Sequence, residues 1–303
     1  MLDKNINKIR IGYLADGPWS HLAFEKIIND DFIEVVFIVP RSDTNDNTLK
    51  EYSTKYNIDY LHPVSINSTE FIETVKSYNV DLLVSMSFNQ IFKSSILSVP
   101  KFGVINCHAG KLPFYRGRNI LNWAIINDEK NFGITVHFVD EGIDTGDIIK
   151  QNIYPITDLD DYNSLLKVAH VECAVILYDS IKEIQNQSFK RIIQSTIHPI
   201  GFYCGTRGEG DEIVNWNQSS RQLFNFIRAI NKPGPMATST LKGEVVKINK
   251  AKLFENAPNY IGTPGQLLAK TKNGFIIKSS DSFLEIYEIE SIVKLKVGDK
   301  LGI

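Results

Sequence analysis

The stretch 103–125, GVINCHAGKLPFYRGRNILNWAI, and the stretch 133–149, GITVHFVDEGIDTGDII, decide how the chain is read. Val104 and Ile105 are an apolar run of the kind that forms a buried strand. Asn106 and His108 follow at its carboxyl end. Residues i and i+2 of a strand point the same way, so Asn106 and His108 face one cavity while Cys107 turns into the packing. Asp144 falls in a loop after the next apolar run, between Gly142 and Gly146. In open α/β sheets ligands gather outside the carboxyl ends of the strands. An amide, an imidazole and a carboxylate meeting there suit acyl transfer. The amide donates to a developing oxyanion, the imidazole donates or shuttles a proton, and the carboxylate tunes the imidazole.

Working outward, residues 9–14, 34–39 and 80–85 read as short buried strands, and 102–105, 133–139 and 147–153 as three more. Residues 19–28 and 68–78 read as helices, the second capped by Ser68 with Phe71, Ile72 and Val75 on one face. A long helix is expected over about 158–185, capped by Thr157, with Asp158, Asp160 and Asp161 at the positive end of its dipole. Helices alternating with apolar strands predict an α/β fold, a doubly wound and mostly parallel sheet. The pattern changes after Ser195. Residues 201–217 read as a linker and 217–231 as an amphipathic helix. Short strands at 245–248, 275–278 and 284–288 follow, with an Asn273-Gly274 hairpin signal. The expected division is a catalytic domain over 1–200, a linker and helix over 201–232, and a smaller β-barrel over 233–303.

Composition narrows the function. Of 303 residues 43% are hydrophobic, including 17 Phe and 12 Tyr, enough for a real core and too many for disorder. The net charge of −2 gives no global field that calls for nucleic acid or an anionic membrane. Cys107, Cys173 and Cys204 have no CxxC spacing, which fits a reducing compartment rather than a disulfide framework. No apolar run approaches the roughly 20 residues of a membrane span. The first residues lack the apolar core of a signal peptide, so a cytoplasmic location is expected. No metal is expected, because Cys107 and His108 point apart and no further Cys or His stands at ligand spacing. Phosphate loops of the GxGxxG or GxxxxGK type are also missing from this segment.

Asn106-x-His108, then Leu112-Pro113, Arg116-Gly117 and later Asp144-x-Gly146, resemble the signature of the folate-dependent formyltransferases. That family acts on glycinamide ribonucleotide, methionyl-tRNA and nucleotide-linked amino sugars. The resemblance extends over the whole chain, with Arg228-Ala229 and Pro233-Gly234-Pro235 at the joint to the C-terminal part. It implies a Rossmann-like formyltransferase domain, an OB-like C-terminal barrel, and 10-formyltetrahydrofolate as cosubstrate. It places Asn106, His108 and Asp144 as the catalytic trio. It lays the folate against Met86, Phe88, Ile91, Val139, Asp140 and Glu141. It also implies a homodimer.

The acceptor is read from finer features. Arg116-Gly117-Arg118-Asn119-Ile120-Leu121-Asn122-Trp123 resembles the pattern of enzymes that formylate UDP-linked 4-amino sugars. Arg116, Arg118 and Trp123 are then the acceptor contacts, with the arginines on a diphosphate. The tRNA enzymes carry a basic, Gly-rich insertion after the second strand; residues 40–47, PRSDTNDN, are short and acidic instead. From Gly205 onward 14 Lys plus Arg stand against 10 Asp plus Glu, a mild basic excess that points the other way. The expectation is therefore a UDP- or dTDP-linked amino sugar, with methionyl-tRNA as the alternative.

Overall fold

The computed structural model describes residues 8–302. Residues 1–7, part of the stretch read above for a targeting signal, and Ile303 lie outside the described residues. The chain packs as two compact units. The first holds the chain up to Gly117 together with Gly133–Tyr154 and Lys167–Tyr203. The second holds Arg118–Phe132, Pro155–Leu166 and everything from Cys204.

In chain order the elements begin with β1 (Ile9–Ala15), α1 (Gly17–Ile28), β2 (Ile33–Val39), α2 (Thr48–Tyr56) and β3 (Asp59–Tyr60). Then come α3 (Thr69–Ser77), β4 (Leu82–Met86), α4 (Ser94–Leu97), β5 (Val104–His108) and β6 (Arg116–Gly117). α5 (Ile120–Ile126) leads to β7 (Asn131–Phe138) and β8 (Ile148–Pro155), followed by α6 (Tyr162–Gln185), α7 (Gln194–Ile197) and β9 (Tyr203–Cys204).

The main sheet has the order β3-β2-β1-β4-β5-β7-β8. β1 pairs in parallel with β2 and β4, β2 with β3, and β4 with β5. The chain thus builds outward from β1 and then restarts at β4, which leaves a switch point between β1 and β4. β7 runs antiparallel to β5, with Asn106 opposite His137 and His108 opposite Thr135. The sheet is mostly parallel, as expected, and this one reversal shapes the site. Leu14, Val36, Phe37, Val39, Leu83 and Val104 of the strands pack with Phe71 and Val75 of α3. α3 starts where expected: Ser68 accepts the Phe71 N–H at 3.2 Å.

Two elements differ from the sequence reading. α2, TLKEYSTKY, has no apolar stripe and buries only Leu49 and Ser53. It is held instead by a stack of Tyr52 on Phe24, with centroids 5.1 Å apart. α6 begins four residues later than expected, at Tyr162 rather than Asp158. The Asp160 carboxylate takes the Thr157 N–H and hydroxyl at 2.8 and 2.7 Å, so Thr157 is spent on a turn. Asp161 caps the helix instead, trading bonds with Ser164 at 2.9 and 3.1 Å.

The second unit contains α8 (Ser220–Ala229) and five strands: β10 (Ala237–Leu241), β11 (Glu244–Lys252), β12 (Leu267–Lys270), β13 (Gly274–Lys278) and β14 (Phe283–Ser291). α8 opens with a Ser219–Gln222 capping box and buries Leu223, Phe224 and Ile227. The sheet order is β10-β11-β14-β13-β12, all antiparallel. The edges β12 and β10 are bridged by the end of the chain. Leu301 donates to the Gly265 carbonyl, and Gly302 to the Thr240 carbonyl, each at 2.8 Å. This gives the sheet the barrel character expected of it, around Val246, Ile248, Ile277, Leu284 and Ile286.

Arg228 is buried on α8. Its guanidinium donates to the carbonyls of Thr157 and Asp160 and to the Asn225 side chain. Arg228→Met keeps the stem but removes the charged donor from two part-buried carbonyls, bonds of a kind worth about 1.5–3 kcal/mol each. Denaturant unfolding followed by Trp fluorescence is expected to show a loss of about 2–4 kcal/mol.

Candidate functional site

Asn106 and His108 stand on one face at the end of β5, as the alternation of the strand requires. Cys107 faces the other way, its Sγ 3.6 Å from the Cys173 carbonyl. His108 is buried, and its Nε2 lies 2.7 Å from the Tyr115 carbonyl oxygen. A carbonyl only accepts, so Nε2 carries the proton and Nδ1 is the nitrogen left for chemistry. That hydrogen bond depends on Gly110. A Cβ there would lie 2.3 Å from His108 Nε2 and 2.5 Å from the Tyr115 oxygen.

Asp144 reaches the same place from the loop after β7. Its own φ is 55°, a left-handed conformation that Asp tolerates at modest cost. Gly146 permits the close return: a Cβ there would lie 1.9 Å from the Phe138 carbonyl oxygen. Asp144 Oδ2 accepts the Gly117 N–H at 2.8 Å and stands 3.7 Å from His108 Nδ1. Its Oδ1 is 3.5 Å from Nε2 of His137, a residue not singled out in the sequence. The contact with His108 is thus electrostatic rather than a hydrogen bond, and the carboxylate is shared between two imidazoles.

Burial pushes the Asp144 carboxyl up, but the charge of His108 above all, and the Gly117 N–H, pull it down, and the group is held well below the usual carboxylate range. The shift is downward, so the unfolded chain takes up this proton at a higher pH than the native protein does. The stabilisation is therefore complete above about pH 3.9, the unfolded value, and drains as pH falls towards the native one.

The loop is anchored by a residue 50 positions away. Gln194 Nε2 donates to the carbonyls of Asp144 and Gly146, both at 2.8 Å. Its Oε1 accepts from Arg116 at 2.7 and 3.2 Å, and the same guanidinium lies over the Tyr203 ring at 5.4 Å. Arg116 therefore braces the Asp144 loop through Gln194. Arg118 belongs to the second unit and is exposed. Among the described residues its side chain has no hydrogen bond, ion pair or ring partner. Trp123 is also in the second unit; its Nε1 donates to the Gly205 carbonyl at 2.9 Å, and Arg207 lies 5.4 Å over its ring. A cavity of about 430 Å³ in that unit is lined by Asn119, Asn122, Tyr162 and Arg207, among others.

Of the residues assigned to the folate, Met86 is buried, with its sulfur against the Tyr13 hydroxyl. Phe88 and Val139 are half-buried on the core, and Ile91 is 54% exposed. Asp140 accepts from Gly142 and Thr145, and Glu141 from the Ser94 N–H, so both carboxylates are engaged locally. Two of the residues that organise the site escaped the sequence reading. His137 carried a usable signal, since a polar residue inside the apolar run GITVHFV marks a buried polar contact. Gln194 carried none. Among the described residues no group of His, Cys, Asp and Glu is placed to hold a metal ion. No helix among them is long and apolar enough to cross a membrane.

With this geometry established, the similarities to known proteins are direct. Residues 23–179 match the family model described as "Formyl transferase", and residues 208–297 match "Formyl transferase, C-terminal domain". The methionyl-tRNA formyltransferase of Clostridium acetobutylicum is 31% identical over 289 residues, covering 93% of this chain and 92% of the relative. That of Acetivibrio thermocellus is 29% identical over 290 residues, with the same coverage. Among solved structures, WlaRD, a sugar 3N-formyl transferase, superposes with a TM-score of 0.69 at 24% identity, covering 95% of this chain and all (100%) of that one. The N-formyltransferase of Helicobacter canadensis, in complex with folinic acid and dTDP-3-aminofucose, gives 0.67 at 22% identity, covering 93% and 100%. At those identities the structural likeness carries the fold.

Comparing the acid unfolding of the wild type with that of Asp144→Asn tests the electrostatics. The stability advantage of the wild type is expected to shrink by about 1.4 kcal/mol per pH unit below about pH 3.9. Parallel curves would mean that Asp144 titrates alike in the folded and unfolded chain.

Proposed function

The chain belongs to the formyl transferase family, and from that membership we propose that it moves the formyl group of 10-formyltetrahydrofolate onto the amine of a UDP- or dTDP-linked amino sugar. The observation that carries the choice of acceptor is the exposed guanidinium of Arg118, without a partner among the described residues, in the stretch that resembles the amino-sugar enzymes. A free guanidinium fork suits the compact charge of a diphosphate. The loop after β2 supports the same choice. Arg41 there is matched by Asp43 at 2.7 Å and Asp16 at 3.8 Å, so it offers little positive charge to an RNA backbone. The solved structures of WlaRD, a sugar 3N-formyl transferase, and of the Helicobacter canadensis N-formyltransferase, in complex with dTDP-3-aminofucose, match along their whole length and lend further support. Arg116, engaged with Gln194, acts on this reading chiefly as a brace.

Asn106, His108 and Asp144 are the proposed catalytic groups. When a neutral amine adds to the formyl carbon, the carbonyl oxygen becomes negative. Asn106 donates an N–H to it, and a protonated His108 donates through Nδ1, its Nε2 being held by Tyr115. Asp144 stabilises the imidazolium. The new C–N bond then replaces the bond to N10 of the folate: the attached amine gives up one proton and N10 leaves having taken one up, so the transfer balances. Phe88 and Val139, half-buried, and Ile91, exposed, are the apolar side chains proposed to meet the pterin, beside the backbone of 139–144.

Methionyl-tRNA is the second reading, favoured by the names of the sequence relatives over nearly their whole length. Incubation with 10-formyltetrahydrofolate and either a panel of amino-sugar nucleotides or methionyl-tRNA, followed by mass analysis, separates the two. Formylated sugar nucleotide is the expected product, with Arg118→Ala weakening sugar-nucleotide binding more than folate binding. Efficient, salt-sensitive formylation of methionyl-tRNA with no sugar product contradicts it.

A further inference from the structure

Asn106 and His137 are direct partners across the antiparallel pair β5/β7, so their side chains share a face. His137 is only 2% exposed, and both of its ring nitrogens are engaged. Nδ1 lies 2.7 Å from the Phe138 carbonyl oxygen. That oxygen can only accept, so Nδ1 carries a proton in either charge state of the ring. The state is decided at Nε2, which is 3.3 Å from Asn106 Nδ2 and 3.5 Å from Asp144 Oδ1. The other ring that faces it is His108, with centroids 6.5 Å apart.

A bare Nε2 is an acceptor. It takes one N–H of Asn106, fixes the nitrogen end of the amide, and leaves the second N–H as a donor. A protonated Nε2 has no lone pair for that N–H, and with two hydrogens facing each other the amide would turn its oxygen to the ring. Without any acceptor at this position the amide is free to rotate about its last torsion. Its oxygen then competes for the place of the donating nitrogen and repels a developing oxyanion.

We propose that His137 is a positioning residue that acts through Asn106: its neutral, Nδ1-protonated ring fixes the amide so that a nitrogen, not an oxygen, serves the formyl oxygen. This rests on the role given to Asn106 above.

The test is a double-mutant cycle with Asn106→Ala. His137→Phe keeps the ring volume and removes the acceptor. His137→Gln keeps an acceptor oxygen near the position of Nε2. For formyl transfer, His137→Phe is expected to lower kcat by about 10- to 100-fold, towards the scale of a lost oxyanion donor, with KM for both substrates within about threefold. His137→Gln restores most of the rate. In the Asn106→Ala background His137→Phe has no further effect. Full additivity in the cycle, or wild-type kcat in a folded His137→Phe, overturns the proposal. A second measurement needs neither variant nor acceptor. In the wild type labelled with 15N-histidine, the His137 signal is expected to show a protonated Nδ1 and a bare Nε2 at neutral pH. A protonated Nε2 there overturns the proposal even if the protein folds and turns over normally. If no amino-sugar nucleotide is formylated, the acceptor reading fails while this spectrum still decides the role of His137.

Discussion

A carboxylate cannot be taken largely out of water without compensation, and the Asp144 side chain, only 12% exposed, is the constraint on which the site is organised. Removing such a charge from solvent costs several kcal/mol even after relaxation. The Gly117 N–H and the neighbouring imidazole of His108 supply the compensation. Each of these needs its own support. Gly117 follows a loop that places the Tyr115 carbonyl on His108, and Gly110 leaves room for that hydrogen bond. His137 is fixed by the Phe138 carbonyl, and the Asp144 backbone by Gln194. The charge at the centre explains why so many surrounding polar groups are matched.

The sheet brings these groups together economically. Parallel strands place β4 and β5 with their carboxyl ends side by side, where a loop-borne ligand site forms in doubly wound folds. The reversal at β7 adds something a further parallel strand would not. In an antiparallel pair the residues directly opposite share a face, so Asn106 meets His137. The loop after β7 then returns Asp144 between the two histidines. Arg116, chemically suited to phosphate, is turned to Gln194 and so supports the position of Asp144.

Much of this was legible in the sequence, for identifiable reasons. β1, β2 and β4 are apolar runs too short to be buried helices, and α3 announced itself through Ser68 and a stripe at spacings of three and four. Asn106, His108 and Asp144 were legible because strand alternation and flanking glycines constrain where they point. What escaped was set by tertiary contact. α2 has no apolar stripe and is held by the stack of Tyr52 on Phe24. The start of α6 moved because Asp160 captured Thr157 and left the cap to Asp161, a competition between two equally plausible side chains. Gln194 lies in a short helix for which the sequence offers no reading, and its role follows only from where the chain returns.

The central claim is that the largely buried Asp144 carboxylate, beside the His108 imidazole, makes this the place of formyl transfer. The most direct measurement is the single-turnover rate of Asp144→Asn with saturating 10-formyltetrahydrofolate and acceptor, beside its folate affinity and its circular dichroism. The account predicts a native spectrum, folate binding within a few-fold of the wild type, and a rate at least about a hundredfold lower. A folded Asp144→Asn that transfers the formyl group at close to the wild-type rate would contradict it.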